Sequence, residues 1–133
     1  MDVIERGCIA LRTLLYTNWI DQKSGKPLAK AFMRRKPKPD GVERDVKGLS
    51  VEHGIQPAQC GTVFREKAGI ADVSVDFIRS LSGLDGPLDV VPDGDNHANI
   101  VGLPKPHDSD ESLATANSLG KKFSDNSRVV HRF

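Results

Sequence analysis

The chain has little of what usually marks a functional class. Aromatic residues make up 5% of its 133 residues, so we expect a core built mainly from Val, Ile, Leu and Ala. Its two cysteines, Cys8 and Cys60, form neither a CxxC pair nor a zinc-ligand spacing. We therefore predict two free and mostly buried thiols. A chain of this length can form a core without disulfide bonds.

Long apolar runs and targeting patterns are also missing. No stretch approaches the roughly 20 apolar residues that span a bilayer. Asp2 and Glu5 stand where a signal peptide carries positive charge, and Arg12 interrupts the apolar stretch that follows. We therefore expect a cytoplasmic protein with no membrane contact. RRM, KH, zinc-finger and P-loop motifs are absent as well, and we predict no cofactor.

Charge is plentiful but segregated, although the net charge is only +1. Residues 21–50 hold nine Lys or Arg and four acids, a net charge of +5. Residues 72–111 hold nine acids and two basic residues, a net charge of −7. Such a chain can offer a basic patch to an anionic partner, unless its two halves face each other in the fold.

The residue pattern predicts an α+β fold. We expect helices over 7–18, after Pro27, over 58–69 and over 108–123, and strands over 48–53, 73–81, 88–91, 97–102 and 128–133. Residues 36–47 contain two prolines, one glycine and seven charges, which predicts a flexible basic loop. The prediction is one α+β domain over residues 1–133. Its small, mostly antiparallel sheet would carry two to four helices packed on one face.

The densest polar stretch is the turn between strands 88–91 and 97–102. Asp93, Asp95 and His97 at alternate positions could surround a divalent metal, and the DGDN run resembles the start of a calcium loop. However, Pro104 stands where that loop needs a bidentate Glu. Asp, Gly and Asn are also ordinary hairpin-turn residues. We therefore predict no metal site.

His97 and Asn99 should point to the same side of their strand, about 7 Å apart. This pair could grip a phosphate or a sugar, and His97 could act as a general acid or base. Asp93 or Asp95 could orient its ring. The alternative is a surface histidine in an ordinary cross-strand pair. No GxSxG sequence surrounds Ser50, and Cys60 is expected to be a buried structural thiol.

The basic segment is the other candidate site. Its cations could contact phosphates, and Tyr16, Trp19 or Phe32 could stack on bases if they are exposed. A solvated charged loop is the alternative. The residues predicted to bind an anion in or beside this segment are Lys26, Lys30, Arg34, Arg35, Lys36, Lys38 and Ser50.

Three short elements carry a resemblance: PLAKAF at 27–32, DVKGLSV at 45–51 and PDGDNHANIVGLP at 92–104. Together they resemble a group of small bacterial proteins of unknown activity. That group shares G-x-P-x-x-x-A-F, L-S-V and H-A-x-[IV]-x-G elements. The likeness covers residues 14–104. It implies a bacterial cytoplasmic protein and adds no information about a catalytic role.

If these elements converge, they would form one surface suited to a phosphate- or nucleotide-bearing ligand. The residues lining it would be Arg34, Arg35, Ser50, His97 and Asn99. Our leading prediction is a small protein that binds nucleic acid or a nucleotide through its basic 26–47 region. One alternative is a small enzyme acting on a nucleotide or RNA phosphate, with His97 as acid/base and Arg34 or Arg35 as electrostatic clamp. Asn99 is the second candidate catalytic residue. Another is a protein-interaction subunit that uses its acidic 85–111 surface.

Overall fold

The computed structural model describes residues 3–133, and one antiparallel sheet organises this part of the chain. Its six strands are β1 (Ile9–Leu14), β2 (Leu49–Glu52), β3 (Gly69–Ser74), β4 (Asp89–Pro92), β5 (His97–Val101) and β6 (Ser127–Arg132). The strand order is β4-β5-β2-β1-β3-β6, and neighbouring strands pair antiparallel.

The same residues contain two α-helices, α1 (Val75–Arg79) and α2 (Asp110–Asp125). They also contain three 3₁₀ turns, Thr17–Trp19, Ala29–Phe32 and Pro57–Gln59. The α+β class and the antiparallel sheet are confirmed, but the helix content is lower than predicted. None of these helices is long and apolar enough to cross a membrane.

The N-terminal segment predicted as a helix over 7–18 is strand β1. Ala10 and Leu14 belong to the main core, whereas Leu11 packs with Cys60 on the other face of the sheet. A strand buried on both faces shows a continuous apolar run instead of an alternation. Such a run cannot be distinguished from a buried helix by its period alone.

The helix predicted over 58–69 is also wrong. This segment contains only the 3₁₀ turn Pro57–Gln59, followed by turns in which Gly61 has a φ of +70°. The strand predicted over 73–81 is displaced to Gly69–Ser74. Helix α1 replaces its second half, since the Ser74 hydroxyl accepts a hydrogen bond from the Phe77 backbone N–H and begins a helix there.

The main core lies between the sheet and the helices on one of its faces. Phe32, from the 3₁₀ turn Ala29–Phe32, stacks on Phe123 of α2 with ring centroids 5.0 Å apart. The strand residues beneath them are fully or almost fully buried, and they include Ala10, Leu14, Leu49, Val51, Val73, Ala98 and Ile100.

The opposite face of the sheet is polar around β2 and β5. Ser50 pairs with Asn99 and Glu52 pairs with His97, so these four side chains share that face. Residues 55–67 cover the sheet beside them, because Cys60 packs on Leu11 and a Glu52 carboxylate oxygen accepts a hydrogen bond from the Gly61 N–H at 2.6 Å. A cleft is left between this covering segment and the polar strands.

Candidate functional site

Ser50 and His97 are diagonal neighbours on adjacent strands, and their side chains are in direct contact. Ser50 Oγ lies 2.6 Å from His97 Nε2. On the far side of the ring, His97 Nδ1 lies 3.7 Å from Asp93 Oδ2. When the Ser50 hydroxyl donates to Nε2, the ring proton sits on Nδ1 and faces the Asp93 carboxylate. Serine, imidazole and carboxylate therefore form one line across the β4–β5 end of the sheet.

The hairpin turn predicted at 92–96 holds Asp93 in place. The Asp93 backbone N–H donates to the His97 carbonyl at 2.8 Å, and Asn99 Nδ2 donates to Asp93 Oδ2 at 3.2 Å. Asn99 is buried beneath this turn. Its predicted place on the same side as His97 is confirmed, and its contact there is with the carboxylate that faces the imidazole.

A cavity of about 340 Å³ opens on one side of the Ser50–His97 pair. We call it the apolar cavity, because Leu11, Val51 and Phe64 form much of its wall. A second cavity of about 300 Å³ opens on the other side. We call it the cationic cavity, after Arg12, Arg35 and Lys47. The residues lining both cavities are Arg12, Ser50, Phe64 and His97. The Ser50–His97 pair therefore lies where the two cavities meet.

Arg12 is the buried cation of the site. In the described residues, β1 and β2 pair at one position, Leu11 with Glu52. Next to this position, the Arg12 guanidinium joins the two strands in place of backbone hydrogen bonds. Arg12 Nη1 donates to the Ser50 carbonyl at 2.9 Å and Nε donates to the Ala31 carbonyl at 3.0 Å. Its guanidinium also lies 5.6 Å from the Trp19 ring centroid. Burial lowers the pKa of Arg12 to about 10, so the group stays charged at neutral pH.

Arg35 is tied to the carboxylate of Asp45. Arg35 Nη2 lies 3.0 Å from Asp45 Oδ1, and the Arg35 backbone N–H donates to Oδ2 at 2.8 Å. Burial by itself raises the pKa of Asp45, but the hydrogen bonds from Arg35 outweigh it and hold this pKa below its ordinary value. Asp45 has a φ of +57°, a left-handed conformation that Asp tolerates better than most residues.

This ion pair closes the base of the predicted flexible loop at 36–47. Within the loop, the Lys38 N–H donates to the Val42 carbonyl and the Gly41 N–H donates to the Lys38 carbonyl. The flexibility of the loop stays a prediction.

The structure brings together only some of the residues predicted to bind an anion. Arg35 and Ser50 line the cationic cavity with His97 and Asn99. Arg34 lies apart, in a smaller cavity of about 150 Å³ that also has Lys47 in its wall. The remaining predicted cations are exposed and line neither the apolar nor the cationic cavity: Lys26, Lys30, Lys36 and Lys38.

Sequence reasoning missed Arg12, Asp45 and Phe64 as parts of the site. Arg12 did carry a signal, since it is a lone charge inside the apolar run IALRTLL. Asp45 and Phe64 reach the cleft only through long-range packing, which no local pattern reports. Among the described residues, no three His, Cys, Asp or Glu side chains are grouped so as to hold a metal ion.

The two cysteines are free, as Cys8 is half-buried and Cys60 is buried. Burial raises the pKa of the Cys60 thiol to about 11, with a smaller contribution from the nearby Glu52 charge. Cys60 is therefore a thiol rather than a thiolate at neutral pH.

No protein-family model, curated protein or solved structure matches this chain. The function is therefore argued from the geometry of the cleft.

Proposed function

We propose that the protein is a small enzyme acting on a phosphate-bearing substrate, either a nucleotide or an RNA phosphate, with His97 as acid/base. The observation that carries this proposal is the 2.6 Å contact between Ser50 Oγ and His97 Nε2 at the junction of the two cavities. A general base needs a hydrogen-bonding partner within this distance and a site where substrate can reach it.

The charges of the cationic cavity support an anionic ligand. The carboxylates in the wall of this cavity are Asp45, which pairs with Arg35, and Asp93, which faces His97. No carboxylate of the described residues lies within 4.0 Å of the Arg12 guanidinium. Lys47 adds a second cation at the rim, and it also lines the smaller cavity of Arg34. Buried or partly buried cations beside a cleft raise the local concentration of anions and stabilise developing negative charge.

The apolar cavity supports a substrate with a ring or another apolar portion. Leu11, Val51 and Phe64 offer apolar surface, and the cavity volume is within the range of small-molecule sites. A nucleotide matches this arrangement of an apolar cavity beside a cationic cavity, since its base can occupy the first while its phosphate faces Arg12 and Lys47. The reacting phosphate ester would then lie beside Ser50 and His97.

The basic 26–47 region has a second role in this proposal. Its exposed lysines would attract RNA phosphates outside the cleft without taking part in the chemistry. Protein binding through the acidic 85–111 surface is the alternative, favoured by the exposure of Asp85, Asp95 and Asp108.

The test uses ADP and a short labelled single-stranded RNA as probes. Binding is followed by calorimetry and fluorescence anisotropy, and product formation by chromatography. His97→Ala should abolish turnover, with a loss of at least about a hundredfold, and change binding much less. His131→Ala is the matched control, because His131 lies in β6 at the opposite end of the strand order.

Failure of both probes to bind at low salt would contradict the proposal and favour a protein partner at the acidic surface. Equal turnover by the wild type and His97→Ala would show that His97 is not the acid/base.

A further inference from the structure

We propose that Ser50 is a nucleophile that attacks the phosphorus of the substrate and forms a covalent phosphoseryl intermediate. This inference deepens the proposed function and rests on it. It assigns Ser50 a role in bond formation, whereas the sequence indicated only an anion-binding hydroxyl. A serine in this role needs a base in contact with its hydroxyl and a group that orients this base. It also needs a positive group that stabilises the negative charge developing on the substrate.

The base, His97, is in direct contact with the Ser50 hydroxyl. At 2.6 Å, His97 Nε2 can accept the Oγ proton as the oxygen attacks. Ser50 is half-buried and lines both cavities, so its hydroxyl is open to a ligand in either of them. Cys60, by contrast, lines neither cavity and has a raised pKa.

A carboxylate lies beside the base, at ion-pair distance from its far nitrogen. Asp93 Oδ2 lies 3.7 Å from His97 Nδ1, and this distance would shorten when the ring becomes a cation. Asn99 holds the same carboxylate oxygen at 3.2 Å, so the side chain has a fixed direction. We assign Asp93 and Asn99 as positioning residues, because Asp93 faces the imidazole and Asn99 holds Asp93, although both side chains also line the cationic cavity.

Positive charge is fixed beside the nucleophile. Arg12 Nη1 donates to the carbonyl of Ser50 itself at 2.9 Å, and this bond locks the guanidinium next to the residue that attacks. The guanidinium also lines both cavities. It can therefore stabilise negative charge on the phosphoryl oxygens without having to move first.

The reaction balances in two steps. First, the Oγ–P bond forms, the bond from phosphorus to the leaving alcohol oxygen breaks, and His97 carries the Ser50 proton to that oxygen. Second, water attacks phosphorus, the Oγ–P bond breaks, and His97 takes a proton from water and returns it to Oγ. No oxidant or reductant is needed, and each step leaves Asp93 ionised.

An alkyl fluorophosphonate tests the nucleophile without knowledge of the substrate. Attack by Ser50 forms an Oγ–P bond and releases fluoride, and His97 takes the proton. We expect one adduct by intact mass, located at Ser50 by peptide fragmentation. His97→Gln should slow labelling at least about a hundredfold, and Asp93→Asn should slow it less. Ser80→Ala is the matched control, since the Ser80 hydroxyl is exposed and bonds a backbone carbonyl in α1.

Thermal unfolding of every variant establishes that it folds. An adduct at another residue, no adduct on folded wild-type protein, or unchanged labelling of folded Ser50→Ala would overturn the inference. Turnover of ADP or RNA by a protein whose Ser50 resists labelling would leave the proposed function standing with water as nucleophile. Labelled Ser50 in a protein that binds neither probe would refute the phosphate substrate instead.

Discussion

At the scale of single residues, Arg12 links stability to the candidate site. Its guanidinium is enclosed between β1, β2 and the Ala29–Phe32 turn, and it donates to backbone carbonyls on two of these elements. Buried carbonyls that lose their donor cost about 1–3 kcal/mol each. The same hydrogen bonds that join the strands therefore place a positive charge beside Ser50.

Arg12→Met should lower the free energy of unfolding by about 3 kcal/mol, because the Ala31 and Ser50 carbonyls would lose their donors inside the protein. Urea denaturation measures this change. Arg128→Met is the control, since Arg128 pairs with Asp72 through a side chain that is 78% exposed and should lose less than about 1 kcal/mol. Equal losses in the two variants would show that the carbonyls find other donors.

Asp45→Asn should change how stability depends on pH. The pKa of Asp45 in the folded protein lies below its ordinary value, so the unfolded chain takes up this proton first as pH falls. The carboxylate therefore stabilises the fold above about pH 4, and this contribution is lost as pH falls through the folded pKa. Asn also tolerates the positive φ of this position.

Unfolding free energies of the wild type and Asp45→Asn, measured from neutral to acid pH, should differ by about 1–2 kcal/mol near neutrality and converge below about pH 4. A constant difference across this range would mean that the pKa of Asp45 is the same in the folded and unfolded protein, so that pairing with Arg35 does not stabilise the charged form.

At the scale of elements, the sequence predicted those with a distinct period or cap. The hairpin of β4 and β5 is confirmed, because an acidic turn separates its strands, and α2 is confirmed near its predicted bounds. The start of α2 is fixed by Ser109, whose hydroxyl accepts a hydrogen bond from the Ser112 N–H. Strand β1 was mistaken for a helix because both of its faces are buried.

The candidate site could likewise be predicted where it depends on a local sequence pattern, but not where it depends on how distant strands pair. The side-by-side placement of His97 and Asn99 follows from the two-residue period of a strand. The contact between Ser50 and His97 depends on how β2 and β5 pair, and these strands are 47 residues apart at that contact. Since local patterns carry no pairing register, the serine–imidazole pair became visible only in the folded protein.

Helix α2 packs closely on the Ala29–Phe32 turn at Gly120. A Cβ added at Gly120 would lie 2.9 Å from the Ala29 carbonyl oxygen and 3.0 Å from its Cβ. Gly120→Ala should therefore destabilise the protein by about 1–2 kcal/mol, although alanine gains up to about 1 kcal/mol of helix propensity.

Thermal denaturation compares this variant with Asn117→Ala, an exposed position of the same helix where alanine should be neutral or slightly stabilising. A stabilised Gly120→Ala protein would show that the turn can move away from α2 at little cost.

At the scale of the whole molecule, the basic and acidic segments do not neutralise each other. Among the ion pairs of the described residues, Arg35–Asp45 lies within the basic 21–50 segment and Arg79–Asp89 within the acidic 72–111 segment. No Lys or Arg of the first segment pairs with an acid of the second in this part of the chain. The one contact of this kind between the two segments in the described residues is that of His107 Nε2 with Glu43 Oε1, at 3.4 Å.

RNA binding should weaken steeply with salt, and Lys36→Ala/Lys38→Ala should reduce the slope of log affinity against log salt by about 1.4, as expected for two phosphate contacts on a single strand. Anisotropy titrations over a salt series measure this slope. Lys121→Ala/Lys122→Ala is the control, because these exposed lysines lie on α2. Arg35 is not substituted in this test, because its removal would leave the Asp45 carboxylate without its ion-pair partner. An unaltered slope in both variants would exclude the loop lysines from RNA binding.

The single register pair between β1 and β2 also bears on how the chain reaches this fold. It divides the sheet into two three-stranded halves, β4-β5-β2 and β1-β3-β6, whose strands are interleaved along the chain. Within each half, strands that lie side by side in the sheet, with the exception of β4 and β5, are separated along the chain by a strand of the other half. Assembly must wait for distant segments to meet, which slows folding relative to proteins built from local hairpins. The junction between the halves, where Arg12 Nη1 donates to the Ser50 carbonyl, also lies against both cavities of the cleft.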